Sequence, residues 1–424
     1  MMQAFDDAPM VTRVAVIAYH SSPLREPGSG DAGGMTVYVR ELAAAHERMG
    51  IYTDIFTRAT ESGRAVVPLS EKVRVVSIHA GPEKELPKDQ LPDYLDDFAI
   101  GVRAFSTMQR VTYDVVHSHY WQSGIAGVAV SRALGVPLVH SQHTLGLVKN
   151  TFLAPGDAPE TQDRLDGEHT LIDEAGVLIA STDEEWQQLS CLYEAPHDRI
   201  KTIHPGVDHQ LFNPGDRLQA RSELGIAQDD AVMLYVGRIQ PLKGLELAVQ
   251  AAYEVLPALD RNLTFLVVGG ASGASGEREL ERTAKLTESL GLADHVRFVG
   301  SVPHRRLPTY YRAADALAVC SHSESFGLAA LEASACGTPV IATAVGGLSH
   351  IVQEGRSGYL LGERDPVAFA SRLKTLLSDQ ELWREFSQSA RRAAGSFSWD
   401  ITAGIVAELY ECLARDLAPE ACTC

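Results

Sequence analysis

Short apolar, β-branched stretches alternate with longer amphipathic stretches about a dozen times along the chain. The apolar stretches, such as RVAVIAY at 13–19 and VMLYVG at 232–237, end in turns rich in Gly, Pro, Ser or Asp. The segments that follow have apolar residues at the spacing of a helix, about 3.6 residues per turn. This alternation predicts βαβ units and therefore an α/β fold, with parallel sheets covered by helices on both faces.

The alternation breaks once, at IKTIHPGVDHQLFNPGD (200–216), where Pro and Gly crowd a segment without periodicity. We therefore expect two Rossmann-like domains that face a central cleft, the usual ligand position in such sheets. The first covers 1–204 and the second 205–398. The last helical stretch, 399–417, is expected to pack back on the first domain. A length of 424 residues is sufficient for two hydrophobic cores.

Charge and composition exclude several classes of function. The formal net charge of −18 opposes binding to nucleic acid or to an anionic membrane surface. We identify no signal peptide and no apolar run of transmembrane length, so a cytoplasmic protein is expected. The cysteines contain no C-x-x-C pair and are predicted to be reduced thiols, with the terminal Cys-Thr-Cys a frayed tail; they are Cys191, Cys320, Cys336, Cys412, Cys422 and Cys424.

The glycine-rich segment GSGDAGG (28–34) allows two interpretations. Gly28-x-Gly30-x-x-Gly33 has the spacing of a dinucleotide fingerprint, and Asp54 follows at about the required distance. An NAD-dependent oxidoreductase is thus one alternative. The predicted strand, however, ends near residue 19, and two prolines separate it from the glycines, whereas the fingerprint needs its first glycine at the strand end. We favour an anion site at a helix N-terminus that begins with Gly33 and Gly34.

Two cations follow the strand predicted at 232–237. Arg238 and Lys243 in VGRIQPLKG lie at the carboxyl end of that strand, which is the ligand edge of an α/β sheet. An arginine fork and a lysine point charge five residues apart can hold a diphosphate. The alternative is an ordinary surface pair.

The segment SESFGLAALEASACGTPVIATAVGG (323–347) carries two glutamates, Glu324 and Glu332, with no lysine or arginine near them in the sequence. We expect their partners to be hydroxyl groups, of a donor sugar for Glu324 and of a ribose for Glu332. The N–H groups of Phe326, Gly327 and Leu328, at the start of the predicted helix, remain for diphosphate oxygens. As alternatives, Glu324 is a helix N-terminal charge and Glu332 a solvated side chain.

Together with VGRIQPLKG and IHPGVDHQLFNP, this segment resembles the retaining glycosyltransferases of the GT-B type, which have two Rossmann-like domains. Within that family, HSSPLREPGSGDAGGMTVYV, HAGPEKELPKDQL, HSHYWQSG and HTLGLVKN resemble the members that transfer N-acetylglucosamine from UDP to 1L-myo-inositol 1-phosphate in mycothiol biosynthesis. The resemblance implies that Lys88, Tyr120, Thr144 and Arg164 hold the acceptor phosphate.

The resemblance also implies a front-face mechanism in which Arg238, Lys243 and the Gly34 N–H stabilise the leaving diphosphate, and His143 lines the donor sugar. No metal site and no cofactor are expected, although Mg²⁺ can bind through substrate phosphates alone. A homodimer is expected because relatives often form one.

Two departures from the pattern leave the substrates open. Thr36 stands where the family has an asparagine that contacts inositol, and Val302 where it has an arginine near the base. A paralogue that joins a GDP-sugar to a thiol such as ergothioneine, as in lincosamide antibiotic biosynthesis, is therefore the alternative.

Overall fold

Two parallel β-sheets, each covered by helices on both faces, form the computed structural model, which describes residues 11–415 except 29, 31, 64 and 154–157. The strands are β1 Arg13–Ile17, β2 Tyr52–Arg58, β3 Val66–Pro68, β4 Val73–Ile78, β5 Val115–His119, β6 Leu138–Ser141, β7 Val177–Ala180, β8 Ile200–Thr202, β9 Ala231–Val236, β10 Leu263–Val268, β11 Val296–Gly300, β12 Ala316–Val319, β13 Val340–Thr343 and β14 Gly358–Leu361. The predicted α/β, GT-B-like class is confirmed.

The helices of the first half are α1 Gly34–Arg48, α2 Leu95–Gln109, α3 Trp121–Leu134, α4 Gly146–Thr151, α5 Gln162–Glu174 and α6 Asp183–Leu192. Those of the second half are α7 Arg217–Glu223, α8 Leu245–Val255, α9 Gly273–Ser289, α10 Leu307–Ala313, α11 Leu328–Cys336, α12 Leu348–Ile351, α13 Pro366–Ser378, α14 Gln380–Ala394 and α15 Trp399–Ala414.

The first sheet has the order β3-β4-β2-β1-β5-β6-β7-β8, and the second has the order β11-β10-β9-β12-β13-β14. All pairs are parallel except that of β3 with β4 at one edge. Alternate residues of a central strand enter different cores: Ile17 lies in one and Val16 in the other. Both faces of the sheet are therefore buried, which explains why the strands read as continuous apolar runs.

The two sheets are separated by the segment between β8 and β9, which contains the predicted break except for its first three residues, 200–202, which form β8. Helix α15 packs on α1 of the first half, and the Tyr410 hydroxyl forms a 2.5 Å hydrogen bond with Nδ1 of His117 on β5. The last residues of the predicted helix, 416–417, lie outside the described residues.

Asp54 settles the dinucleotide alternative. It lies near the start of β2, where its carboxylate accepts hydrogen bonds from Arg74 at 2.6 Å and Tyr113 at 2.6 Å, and it also pairs with Arg13. These contacts are at the amino end of the strands, opposite to the ligand edge. In addition, β1 ends at Ile17, well before Gly28. The oxidoreductase interpretation is therefore wrong, because the spacing of the glycines matched while their position relative to the strand did not.

The cysteine prediction holds in part. Cys191, Cys320 and Cys336 are free, but Cys412 is disulfide-bonded, so the expectation of reduced thiols is wrong at that position. Cys422 and Cys424 lie outside the described residues. No helix in the described part of the chain has both the length and the apolar character that crossing a bilayer requires.

Candidate active site

A cavity of about 840 Å³ lies between the two halves of the molecule, at the carboxyl ends of their strands. The strand order reverses between β1 and β5 in the first sheet and between β9 and β12 in the second. Such reversal points leave a crevice in which α/β proteins bind ligands. The loops that follow these four strands all contribute to the cavity wall, so the two ligand edges face each other.

Every predicted site residue except Thr36 lines this cavity. The lining residues among them are Gly34, Lys88, Tyr120, His143, Thr144, Arg164, Arg238, Lys243, Val302, Glu324, Phe326, Gly327, Leu328 and Glu332. Thr36 is buried, with 1% of its surface exposed, and its hydroxyl is hydrogen-bonded to Ser21 Oγ at 3.1 Å. Its predicted contact with the acceptor is therefore not available at the cavity surface.

Glu324 has a cationic partner, contrary to expectation. Lys243 Nζ lies 2.5 Å from Glu324 Oε2, and the Ser321 hydroxyl donates to the same oxygen at 3.2 Å. The two charged residues are 81 positions apart, but they follow β9 and β12, which are neighbours in the sheet. The pair is only partly buried, so both groups remain within reach of a ligand in the cavity.

Arg238 and the N-terminus of α1 meet across the cleft. A side chain added to Gly33 would place its Cβ 3.0 Å from Arg238 Nε, so glycine permits this close approach. The first turn of α1 contains no acidic side chain, and its free N–H groups carry the positive end of the helix dipole. A guanidinium and a helix N-terminus on opposite walls make this part of the cavity suited to an anion.

Backbone geometry opens the N-terminus of α11 toward the cavity. Gly327, the residue before the helix, has φ +104, a conformation that favours glycine. The loop after β13 lies directly against this turn, since a Cβ on Gly346 would stand 1.6 Å from the Glu324 carbonyl oxygen and one on Gly347 2.5 Å from Phe326. The Gly346-Gly347 pair thus allows two backbones to touch beside the predicted diphosphate position.

Glu332, the second glutamate, also has protein partners. Its Oε1 lies 2.7 Å from His304 Nε2, and its Oε2 accepts a 2.8 Å hydrogen bond from the Tyr311 hydroxyl. The side chain of Glu332 is largely buried, yet the residue lines the cavity, as Val302 does. The alternative of a solvated side chain is therefore wrong.

The first domain contributes Tyr120, Thr144 and Arg164 to the cavity wall. The Arg164 guanidinium donates to Thr144 Oγ1 at 3.0 Å and lies over the Tyr120 ring, 5.1 Å from its centroid. It also pairs with Glu168 at 2.8 Å and Glu160 at 3.0 Å. These contacts hold Arg164 in one orientation with respect to Thr144 and Tyr120.

Lys88 and Lys149 line the same end of the cavity. The Gln122 amide donates to the Lys88 carbonyl oxygen at 2.8 Å, which fixes the backbone of this residue. Lys149 is paired with Glu160, the carboxylate that also contacts Arg164. The sequence prediction missed Lys149 and Glu160. The KN dipeptide at 149–150 after HTLGLV was the available signal, but nothing in the sequence links it to Glu160.

His143 occupies a strained position between the domains. Its φ is +61, which is uncommon for a residue with a side chain and typical of functional sites. Its carbonyl oxygen accepts a hydrogen bond from the Ser325 hydroxyl of the other domain, and its Nε2 lies 2.9 Å from His119 Nδ1. Burial lowers the pKa of His143 to about 3, so the ring is neutral at physiological pH.

A metal-binding cluster of three or more His, Cys, Asp or Glu side chains does not occur among the described residues. The positive groups that the second domain presents to the cavity include the Arg238 guanidinium, the Lys243 ammonium and the N-terminus of α11. Such groups can stabilise a diphosphate by themselves.

Comparisons with known proteins agree with this arrangement. Residues 33–206 match the model of the glycosyl transferase 4-like domain, and residues 216–393 match that of glycosyl transferases group 1. D-inositol 3-phosphate glycosyltransferase 2 of Catenulispora acidiphila is 46% identical over 410 residues, which is 96% of each chain. D-inositol 3-phosphate glycosyltransferase of Actinosynnema mirum is 47% identical over 413 residues, 96% of this chain and 99% of the relative.

Among solved structures, sucrose-phosphate synthase of Thermosynechococcus elongatus superposes with a TM-score of 0.88 at 31% identity and covers 96% of this chain and 100% of its own. HepE of Anabaena, solved with UDP and glucose, has a TM-score of 0.73 at 20% identity over 94% of this chain and 99% of its own, and this likeness concerns the fold alone. The chain therefore belongs to the GT-B glycosyltransferases that join a glycosyl transferase 4-like domain to a glycosyl transferases group 1 domain.

Proposed function

We propose that this glycosyltransferase retains the anomeric configuration and moves a sugar, with N-acetylglucosamine favoured, from UDP to 1L-myo-inositol 1-phosphate. The observation that best supports the acceptor assignment is that Lys88, Tyr120, Thr144 and Arg164 line one cavity, with Arg164 hydrogen-bonded to Thr144 and lying over the Tyr120 ring. The relatives at 46% and 47% identity are named for D-inositol 3-phosphate, which is the same compound numbered the other way round the ring. In this proposal the domain at 1–204 binds the acceptor, and the domain at 205–398 binds the donor.

The donor diphosphate would lie between Arg238, Lys243 and the N-terminus of α1 at Gly34. Glu324 would accept hydrogen bonds from hydroxyl groups of the sugar, and Glu332 would accept them from the ribose hydroxyls. The N–H groups from Phe326 to Leu328 would contact diphosphate oxygens. Val302 would pack against the base. Support comes from the position of all these residues around one cavity.

The chemical step proposed is a front-face substitution. The acceptor hydroxyl attacks the anomeric carbon from the side on which the diphosphate leaves, and a diphosphate oxygen takes the acceptor proton. Arg238, Lys243 and the Gly34 N–H stabilise the charge that develops on the diphosphate, and preorganised donors of this kind usually supply the largest part of catalysis. The neutral His143 ring and its carbonyl group would line the sugar. No cofactor is needed, and Mg²⁺ would bind only through substrate phosphates.

A second acceptor class follows from one specific observation. Thr36 is turned away from the cavity toward Ser21, so the contact that the asparagine of related enzymes makes with inositol is not reproduced. The alternative is a GDP-sugar and a thiol acceptor such as ergothioneine, whose carboxylate the same cations can bind. We further propose a cytoplasmic homodimer.

Mass spectrometry and NMR distinguish these possibilities. The purified protein is incubated with UDP-GlcNAc, UDP-glucose or GDP-sugars, each against inositol 1-phosphate, inositol and ergothioneine. We expect transfer from UDP-GlcNAc to inositol phosphate, little to inositol because it lacks the anion, and an α-anomeric coupling constant in the product. A product formed only with a GDP-sugar and the thiol selects the alternative, and a β-linked product rejects retention.

A further inference from the structure

The carboxylate of Glu332 is fixed before any ligand arrives. One oxygen faces His304 Nε2 at 2.7 Å and the other accepts from the Tyr311 hydroxyl at 2.8 Å. A carboxylate has about four lone-pair sites, so each oxygen can accept one more hydrogen bond from the cavity. Two donors on opposite oxygens restrict rotation of the group, which lowers the entropy cost of binding a diol.

His304 lies at the contact between the two domains. It precedes α10 and lines both the main cavity and a smaller pocket formed with Glu41 of α1. The Phe212 ring packs on it, with 5.1 Å between the ring centroids. The charged groups around it are Glu332 from α11 and Glu41 and Arg40 from α1, and Asp208, from the segment after β8, lines the same small pocket.

The charge on His304 follows from these neighbours. Burial by itself would lower the pKa of His304, but the carboxylate of Glu332, assisted by that of Glu41, outweighs burial and raises it above the ordinary value. The phenol of Tyr311 does not ionise in this range, because burial and Glu332 raise its pKa further. Of the two groups that hold Glu332, it is therefore His304 whose charge changes, at a pH above the ordinary pKa of histidine.

Resting on the proposed function, in which Glu332 binds the donor ribose, we propose that His304 is a positioning residue for the donor site. Its imidazolium holds one oxygen of Glu332 in place while Tyr311 holds the other, and its proximity to Glu41 connects the donor site with α1 of the first domain. Nucleotide affinity then falls as the pH rises through the titration of His304. The neutral ring still hydrogen-bonds but loses the charge that strengthens the contact.

Calorimetric titration of the full-length protein with UDP and with GDP, from about pH 6 to about pH 9, tests this inference around the ordinary pKa of histidine, about 6.5. His304→Ala removes the contact and is expected to weaken binding about tenfold at low pH. His304→Gln keeps a donor at the position of Nε2 without the charge. It is expected to bind nearly as well as the parent protein and to lose the part of the pH dependence that His304 contributes.

Tyr311→Phe is the matched control, because it removes the other donor to Glu332 and leaves His304 in place. It is expected to bind more weakly and to keep the pH dependence, while Glu41→Gln shifts the midpoint to lower pH. Ionisation of the ligand itself is present equally in the His304→Gln titration and cancels in the comparison. Thermal melting of each variant checks that it is folded, and His304→Gln decides the question if His304→Ala is not.

Two results overturn the inference while the proposed function stands: His304→Gln with the pH dependence of the parent protein, or folded His304→Ala with unchanged affinity. If the parent protein binds neither nucleotide at any pH, the donor-site assignment fails and the inference fails with it. The two kinds of failure are thus distinguishable in one set of titrations.

Discussion

Lys243 is the residue on which the proposed chemistry depends most. Lys243→Ala is expected to lower kcat by about a hundredfold or more, the usual effect of losing a preorganised group that stabilises developing charge. The effect on the free energy of unfolding should stay below about 1 kcal/mol, because the Lys243–Glu324 pair is partly exposed and such pairs contribute little. Steady-state kinetics and urea unfolding measure the two quantities.

Lys285→Ala is the control for this substitution, since Lys285 forms an exposed pair with Glu281 away from the cavity. It should change neither quantity. A Lys243→Ala protein that loses stability in proportion to its activity contradicts the catalytic role and makes the lysine a structural residue.

Residue types in the site could be predicted from the sequence, but their partners could not. Glu324 and Glu332 were identified because carboxylates in a small, apolar helix segment need an explanation. Lys243 was identified separately, by its position after a strand. Their contact depends on β9 and β12 being neighbours, and strand order is not written in local periodicity. The partner of Glu332, His304, is 28 positions away and belongs to no recognisable motif.

The start of helix α11 requires the backbone conformation of Gly327, so a substitution at this residue tests how the helix begins. Gly327→Ala must keep φ near +104 and bring a Cβ to 2.8 Å from Leu348 Cδ2, a side chain that is buried. We expect a loss of about 2–4 kcal/mol in the free energy of unfolding, from strain plus overpacking. Nucleotide affinity should fall as well, because the N–H groups of the helix start are displaced.

Gly355→Ala is the control that separates the effect of backbone strain from any effect on the nucleotide site. Gly355 has φ +68 and nothing within 4 Å of an added Cβ, so this substitution carries only the backbone cost, about 1–2 kcal/mol. Urea unfolding and nucleotide titration compare the two variants. Equal losses of stability with unchanged nucleotide affinity in both would contradict a special role for the α11 turn.

Helices and strands could be predicted where the apolar pattern is continuous. They were harder to predict where contacts with other elements determine the local structure. The strands at 13–19 and 232–237 appear as β1 and β9 because their runs are buried on both faces. The three-residue edge strand β3 was not foreseen, since its residues are partly exposed and pair antiparallel with β4. The glycine loop has the spacing of a fingerprint by coincidence, and the end of β1 at Ile17 and the contacts of Asp54 show that it cannot act as one.

Direct hydrogen bonds join the two domains across the cavity, and we expect them to favour a closed cleft. The Ser325 hydroxyl donates to the His143 carbonyl oxygen, and the Ser301 hydroxyl donates to the Gly28 carbonyl oxygen at 2.7 Å. Closure of this kind excludes water and limits hydrolysis of an activated donor. The second contact places Gly28, a residue of the first domain, against the second domain beside the cavity.

Ser325→Ala is expected to favour the open cleft. A hydrogen bond of this kind contributes about 1 kcal/mol, which corresponds to roughly a fivefold shift between closed and open forms. The ratio of donor hydrolysis to transfer should rise by a similar factor, and small-angle scattering without nucleotide should show a larger radius of gyration. Ser349→Ala, whose hydroxyl bonds within its own turn at 3.3 Å, serves as the control. If neither the ratio nor the scattering changes, the contact has no part in closure.

The two domains differ in how they bury histidine. Five described histidines with lowered pKa lie in the first domain, four of them buried and His143 half-buried: His46, His117, His119, His140 and His143. Burial is the largest cause at each, and it lowers the pKa to about 4 at His46 and His140. In the second domain His322 also has a pKa lowered to about 4, but that of His304 is raised. Most of the histidines whose pKa is lowered by folding therefore belong to the first domain.

This asymmetry predicts that acid unfolds the first domain before the second. Below the unfolded pKa of histidine, about 6.5, the unfolded chain binds protons that the buried rings do not. Stability therefore falls as the pH drops from there toward about 4, by up to about 1.4 kcal/mol per pH unit for each ring.

Hydrogen exchange in urea, at pH 7 and pH 5, measures the stability of the two domains separately. The amides of β1 and β5 report on the first domain, and those of β9 and β12 report on the second. The glutamine in His140→Gln cannot bind a proton. The first domain of this variant should therefore lose less stability between pH 7 and pH 5, by up to the contribution of one histidine. If β9 and β12 lose protection first at pH 5, the buried histidines do not control acid stability, and the carboxylates of the second domain must.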